Sequence, residues 1–230
     1  LVHIVTVQEN AEIIRIKLPE AIVTGWSDNV TVEQEADITA AIHKAAAVVI
    51  GPGLGQEAGA ERLLDLVLQE AEKLPELPVV IDADGLNLLA KKGLYSTLGR
   101  QFVLTPHLRE MSRLSGKSVQ EIADDMTSAV MGQQAGATIV LKDARTLVSD
   151  GDWLYINLSG NSALSTGGSG DVLSGMVGGL LAQGCTQRTA ATLAVYMHGL
   201  TAEQYCESAP PHCMLARDIL EMIPKIGGNS

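Results

Sequence analysis

A chain of 230 residues that is 46% hydrophobic can bury one sizeable core, so a single α/β domain over residues 1–230 is the natural expectation. Its formal charge of -11 repels a phosphate backbone over most of the surface, which argues against nucleic acid and requires any phosphate ligand to be held locally. No apolar run approaches the ~20 residues needed to span a bilayer. The three cysteines, Cys185, Cys206 and Cys213, contain no C-x-x-C pair, so a soluble protein of a reducing cytosol is expected, with neither a disulfide framework nor a zinc ribbon.

The opening LVHIVTV reads as a buried strand and carries neither an initiator Met nor a signal-peptide n-region. Continuously apolar runs follow at 48–50, 79–81, 102–104 and 138–141, alternating with longer periodic segments, as in a mostly parallel sheet covered on both faces. Each run ends in a polar or Gly-rich turn. Ligands of such sheets gather outside the carboxyl ends of the strands, where the sequence puts Gly51 to Gly55, Asp82 and Asp84, His107, and Lys142. The stretch TLVSDGDWLYIN carries an Asp-Gly turn signal between two β-rich runs, which predicts an antiparallel hairpin at the sheet edge.

Several of these turns have two readings. GPGLG at 51–55 is not the Rossmann fingerprint, because its third glycine falls too early. In DADGLN, Asp82, Asp84 and Asn87 suit a hydrated Mg²⁺ on phosphates, while helix capping by Asp84 is as good an account, so no residue is assigned to metal. In LTPHLREM, Thr105 reads as the cap, Pro106 as the first helical residue and His107 as a first-turn residue, where the helix dipole opposes protonation and suits a neutral hydrogen bond. His198, in AVYMHGL, reads as a core or interface histidine.

STGGSGDVLSG at 165–175 seats Asp171 where glycines give way to an apolar helical pattern. Leu173, Met176, Val177, Leu180 and Leu181 share one face, and Gly175, Gly178 and Gly179 leave another almost bare, so the helix can pack closely. The helix N-terminus offers free N–H groups and a partial positive charge behind glycines that let a ligand approach, which makes an anion site. Asp171 either stabilises the helix start or acts on what the anion site holds.

The pattern T-G-G-S-G-D resembles the G-[TS]-G-D signature of the ribokinase-like superfamily. More narrowly VVIGPGLG, VVIDADGLN, LTPHLREMSRL, IVLKDARTLV and GNSALSTGGSGDVLSGMVGGLLAQG are similar, in order and across roughly residues 45–185, to motifs of the ADP-dependent NAD(P)H-hydrate dehydratase family. The resemblance implies a ribokinase-like three-layer sandwich that dehydrates the 6-hydroxy form of NADH or NADPH, consuming ADP with Mg²⁺ and releasing AMP and phosphate. By the same resemblance Asp171 is the catalytic base beside the substrate, and the N–H groups of Gly167, Gly168, Ser169 and Gly170 hold the transferring phosphate. Lys142, Asp143, Ala144, Arg145 and Thr146 line the nucleotide, and Gly53, Gly55 and His107 lie against the damaged dinucleotide. Family members commonly differ at Leu108-Arg109. They also begin with a further strand and glycine loop, so roughly the first forty to fifty residues of the usual domain are expected to be absent here. A homo-oligomer, a tetramer by resemblance, is implied as well. A small-molecule kinase of the same superfamily and a non-catalytic nucleotide sensor are the alternatives; Asp171 argues against the sensor, and TPH with GPGLG against the kinase.

Overall fold

The computed structural model describes residues 1–27, 30–131 and 136–226. Among the described residues the strands are β1 (His3–Val7), β2 (Ile22–Trp26), β3 (Val48–Ile50), β4 (Val79–Ile81), β5 (Phe102–Leu104), β6 (Thr138–Leu141), β7 (Leu147–Ser149) and β8 (Leu154–Ile156). The helices are α1 (Gln8–Lys17), α2 (Val32–Lys44), α3 (Ala58–Lys73), α4 (Ala83–Lys92), α5 (Leu108–Ser115), α6 (Val119–Asp124), α7 (Met126–Met131), α8 (Ser169–Ala182), α9 (Gln187–Cys206) and α10 (Ala216–Met222).

The main sheet has the order β3-β4-β5-β6-β7-β8, with β3 to β6 parallel and β7 and β8 added antiparallel as the expected hairpin. Why these runs are apolar throughout follows from the pleat, since successive side chains point to opposite faces and both faces are covered. Val79, Ile81, Phe102, Leu104, Ile139 and Leu141 enter the larger core with α3, α4 and α5. Val80, Val103, Val140 and Val148 enter a second core with Leu173, Val177 and Leu181 of α8 and Ala190, Ala191 and Ala194 of α9. Helices on both faces make the three-layer sandwich.

The glycine face of α8 serves one close approach: a Cβ on Gly178 would overlap Val49 of β3, whereas Gly175 and Gly179 face open space. The opening segment corrects the expectation of a buried strand. β1 pairs only with β2, in a separate parallel ribbon, and its residues are exposed or half-buried because only Val5 and Val7 reach the core. A hydrophobic run does not tell one covered face from two. The other edge, β3, exposes Val49.

Candidate active site

The turns after β3, β4, β5 and β6 lie side by side, and the N-terminus of α8 meets them from the other layer. After β3 the chain turns at Gly51, whose φ of 124° lies in the region that only glycine adopts readily. A Cβ there would overlap the Asp82 carbonyl oxygen and sit 2.9 Å from Gly85 N, so the β3 and β4 turns are pressed backbone to backbone. Asp84 accepts from Gly55 N at 3.1 Å and from Gln56 Nε2 at 3.0 Å. It therefore pins the neighbouring GPGLG turn rather than capping its own helix. Gly53 faces open space, as a ligand-facing backbone requires.

Asp82 is fully buried. It occupies the N-cap position of α4 without capping it; its Oδ1 accepts from Lys142 Nζ at 2.8 Å and its Oδ2 from the Ser174 hydroxyl. Ala83, next to it, is held at a φ of 47°, unusual for a residue with a Cβ. Lys142 is thus no solvated strand-end lysine. Its own amide donates to Pro106 O at 2.8 Å, and the pairing of Lys142 with His107 extends the β5–β6 ladder past the strands. Asp143, Ala144 and Arg145 follow, exposed, in a turn that Thr146 closes toward Asp143 O at 3.4 Å.

His107 corrects the expectation that Thr105 caps α5. The helix starts at Leu108, and His107 is itself the cap, its Nδ1 accepting from Arg109 N at 3.1 Å and Glu110 N at 3.2 Å. Glu110 returns a bond to His107 N at 2.8 Å, completing a capping box. With Nδ1 accepting, the ring proton belongs on Nε2 of a half-exposed ring, where Glu110 Oε1 lies 3.4 Å away. Thr105 is instead fully buried, and its hydroxyl has no partner among the described residues.

The helix α8 begins at Ser169 after Gly168, which turns the chain at a φ of 86°. The Ser169 amide closes that turn on Thr166 O at 3.3 Å, whereas the amides of Gly167, Gly168 and Gly170 have no acceptor among the described residues. Free N–H groups at a helix start are what an anion can bind to. Asp171 stands in the first turn and makes no side-chain hydrogen bond among the described residues. Burial and then the Asp82 charge push its carboxyl above the ordinary value, with Lys142 opposing. The helix dipole alone suggests the opposite direction, so burial and a like charge outweigh it.

Behind this turn His198 is buried, its Nε2 lying 3.1 Å from Ser169 O and 3.2 Å from Ser169 Oγ. Burial holds His198 down at about 4. The unfolded chain then binds a proton that the folded one refuses between the usual value near 6.5 and about 4, so stability present above pH 6.5 is lost as pH falls, by about 3 kcal/mol in all. His198→Gln keeps a donor for Ser169 O and removes the titration, so melting temperatures between pH 6.5 and 4.5 are expected to fall less steeply in the variant than in the native chain. Parallel curves would show that His198 contributes nothing to acid sensitivity.

Sequence reasoning did not find Ser174 or the joining of Asp82 to Lys142. Its one signal for Ser174 was a hydroxyl one turn past Asp171 in an otherwise apolar and glycine-rich helix. Mg²⁺ finds no preformed cage: no group of three His, Cys, Asp or Glu side chains able to hold a metal occurs among the described residues, and Asp82 and Asp84 are already engaged. The side chains fit only an ion that arrives on phosphate oxygens, whose charge it would neutralise.

A mostly parallel sheet with its site at the carboxyl edge and a glycine-capped anion helix defines a ribokinase-like α/β protein. A ribokinase-like superfamily protein of Enterococcus faecalis superposes with a TM-score of 0.85 at 29% identity, over 98% of this chain and 76% of that one. A family model described as NAD(P)H-hydrate dehydratase matches residues 1–225, and the chain belongs to that family. It is 40% identical over 198 residues to the ADP-dependent (S)-NAD(P)H-hydrate dehydratase of Neisseria meningitidis, covering 84% of this chain and 65% of that protein. The ADP/ATP-dependent NAD(P)H-hydrate dehydratase of Bacillus subtilis, co-crystallised with ATP and Mg²⁺, superposes with a TM-score of 0.76 at 28% identity, over 98% of this chain and 77% of that one. The chain spans less than two thirds of the length of the Neisseria relative and a smaller share of the bifunctional repair enzymes that it also matches.

Proposed function

We propose that the chain dehydrates hydrated NADH or NADPH at the expense of ADP, releasing AMP and phosphate. The observation that carries the reading is a carboxylate, Asp171, without a hydrogen-bond partner among the described residues, near three glycine amides that also lack one there and the Lys142 ammonium. Hydroxide is a poor leaving group from the hydrated ring, whereas a phosphate ester leaves readily. Asp171 takes the proton of the ring hydroxyl as its oxygen attacks the β-phosphate of ADP; the bond to the AMP oxygen breaks, and AMP departs. The amides of Gly167, Gly168 and Gly170, with Lys142, meet the charge on the phosphoryl group in flight. Push from the ring nitrogen then expels phosphate, and loss of a ring proton restores the dihydronicotinamide. Ser169 serves the nucleotide through its place in the turn, and Asp143, Ala144, Arg145 and Thr146 lie where the rest of the nucleotide would run. Gly53, Gly55 and the His107 Nε2 donor face the dinucleotide. A homo-oligomer in the cytoplasm belongs to the same proposal.

The test is hydrated NADH with ADP or ATP, following the return of dihydronicotinamide absorbance and assaying AMP and phosphate. ADP is expected to support the faster turnover, with one AMP and one phosphate per NADH. Clearly faster turnover with ATP would overturn the ADP assignment. Phosphorylation of the hydrate without recovery of NADH would mark a kinase.

A further inference from the structure

Asp82 is the most buried carboxylate at the site, and nothing above gives it a chemical task. Lys142 has three donors and uses one on Asp82; it has no other hydrogen-bond partner among the described residues. Its Nζ lies 3.4 Å from where a Cβ on Gly170 would stand, so the ammonium rests against the backbone that supplies one of the free amides. The Ser174 hydroxyl fills the second Asp82 oxygen while lying 3.0 Å from Gly170 O, which ties the same carboxylate to the first turn of α8. One buried group therefore fixes both the cation and the helix turn on which the amides sit.

We propose that Asp82 is a positioning residue for phosphate binding: it holds the Lys142 ammonium against Gly170 so that two free donors and the glycine amides meet the terminal phosphate of a nucleoside diphosphate already in place. The inference rests on the nucleotide-dependent reading above. A lysine on its four-carbon stem otherwise loses rotamer freedom at the moment of binding, and Asp82 moves that cost into folding. The arrangement is hard to explain by stability alone, because a buried ion pair contributes little net stability once desolvation is counted. Asp82 also cancels part of the lysine charge, so the pocket trades attraction for placement.

The test is an ADP-binding cycle by calorimetry on the full chain, with Asp82→Asn, Lys142→Met and the double variant. Asp82→Asn and Lys142→Met should each weaken ADP about tenfold, the scale of one charge-assisted bond. The double variant should bind within about twofold of Lys142→Met, since the Asn side-chain oxygen can still accept from Ser174 and only the hold on the lysine is lost. Lys142→Met leaves the buried Asp82 carboxylate without its cation, so if either single variant does not fold the double, which buries no unpaired charge, is compared with the native chain: about tenfold weaker ADP binding is expected, and about a hundredfold weaker overturns the proposal. A double variant about tenfold weaker than Lys142→Met, or an Asp82→Asn chain with native ADP affinity, overturns the proposal.

A second readout separates positioning from scaffolding. The charges bearing on Asp171 are Asp82 at the end of β4 and Lys142 at the end of β6; of the helices packed on α8, α9 carries the buried, neutral His198, and α10 carries Arg217 and Asp218, the latter already bonded to Leu215 N at 2.7 Å. Asp82→Asn deletes the like charge, so the acid limb of the dehydration rate should move to lower pH, whereas a scaffold defect lowers the whole profile without moving it. A native chain that binds ADP but fails to restore NADH defeats the dehydratase reading and leaves the binding cycle to judge Asp82. A native chain that binds no ADP overturns both.

Discussion

Asp171→Asn is expected to lower single-turnover phosphate release by about 10²-fold or more, the usual scale for a positioned general base, while ADP binding persists. The side chain keeps its shape and loses only its capacity to take a proton. The melting temperature supplies the control, and its direction follows from the charge environment. Burial and Asp82 raise the Asp171 carboxyl, so the folded state disfavours the ionised form, and stability is lost as pH rises through the ordinary value toward the raised one. At neutral pH the Asn variant should therefore melt at or above the native temperature. An aspartate serving only the helix start predicts the reverse pair, a lowered melt with near-normal release. That outcome would remove Asp171 from the chemistry.

On the proposed reading, the same electrostatics explains how an acidic chain of net charge -11 would hold a polyanion. A net charge of this sign repels phosphate at long range, and the proposed reading places the attraction at the free glycine amides and Lys142, with Arg145 further along the nucleotide. A raised carboxyl beside them is a stronger base when ionised, at the cost of stability, as often holds for functional groups.

The four parallel strands were legible because each is a short, almost wholly apolar run followed by Gly51, Asp82, Thr105-Pro106 or Lys142, and the hairpin because Asp150-Gly151 marks its turn. Local signals of this kind say nothing about distant partners. Asp82 meets Lys142 across 60 positions and Ser174 across 92, so no spacing rule links them. The anion helix was legible for the converse reason, since glycines, aspartate and apolar face are contiguous. The start of α5 was misplaced by two residues because Thr-Pro imitates a conventional helix start; a histidine accepting two amides at Nδ1 is an uncommon cap that only the backbone reveals. The direction of the Asp171 shift was likewise hidden, because the dipole is readable from sequence and the Asp82 charge is not.

Gly51→Ala is expected to be the most damaging single change to the framework of the site. Two costs add. The φ of 124° lies outside what an alanine adopts without strain, and the new methyl would overlap the Asp82 carbonyl oxygen with the Asp82 carbonyl carbon at 2.8 Å and Gly85 N at 2.9 Å. These neighbours are backbone, so relief requires the β3 and β4 turns to separate. Strain and overpacking of this kind total about 3 kcal/mol or more, which for a domain of this size lowers the melting temperature by about 6–12 °C. Separation also carries Asp82 away from Lys142, so ADP affinity should fall even at temperatures where the variant is folded. Gly53→Ala is the matched control: its φ of 63° is one that an L-residue tolerates, and no atom lies within 4 Å of the added carbon. That variant should melt within about 4 °C of the native chain, since its penalty is about 1 kcal/mol of left-handed backbone, and keep its ADP affinity. Thermal melts of the two variants side by side, each with an ADP titration, decide the matter. Equal melting temperatures would mean that the two turns are not locked together at Gly51.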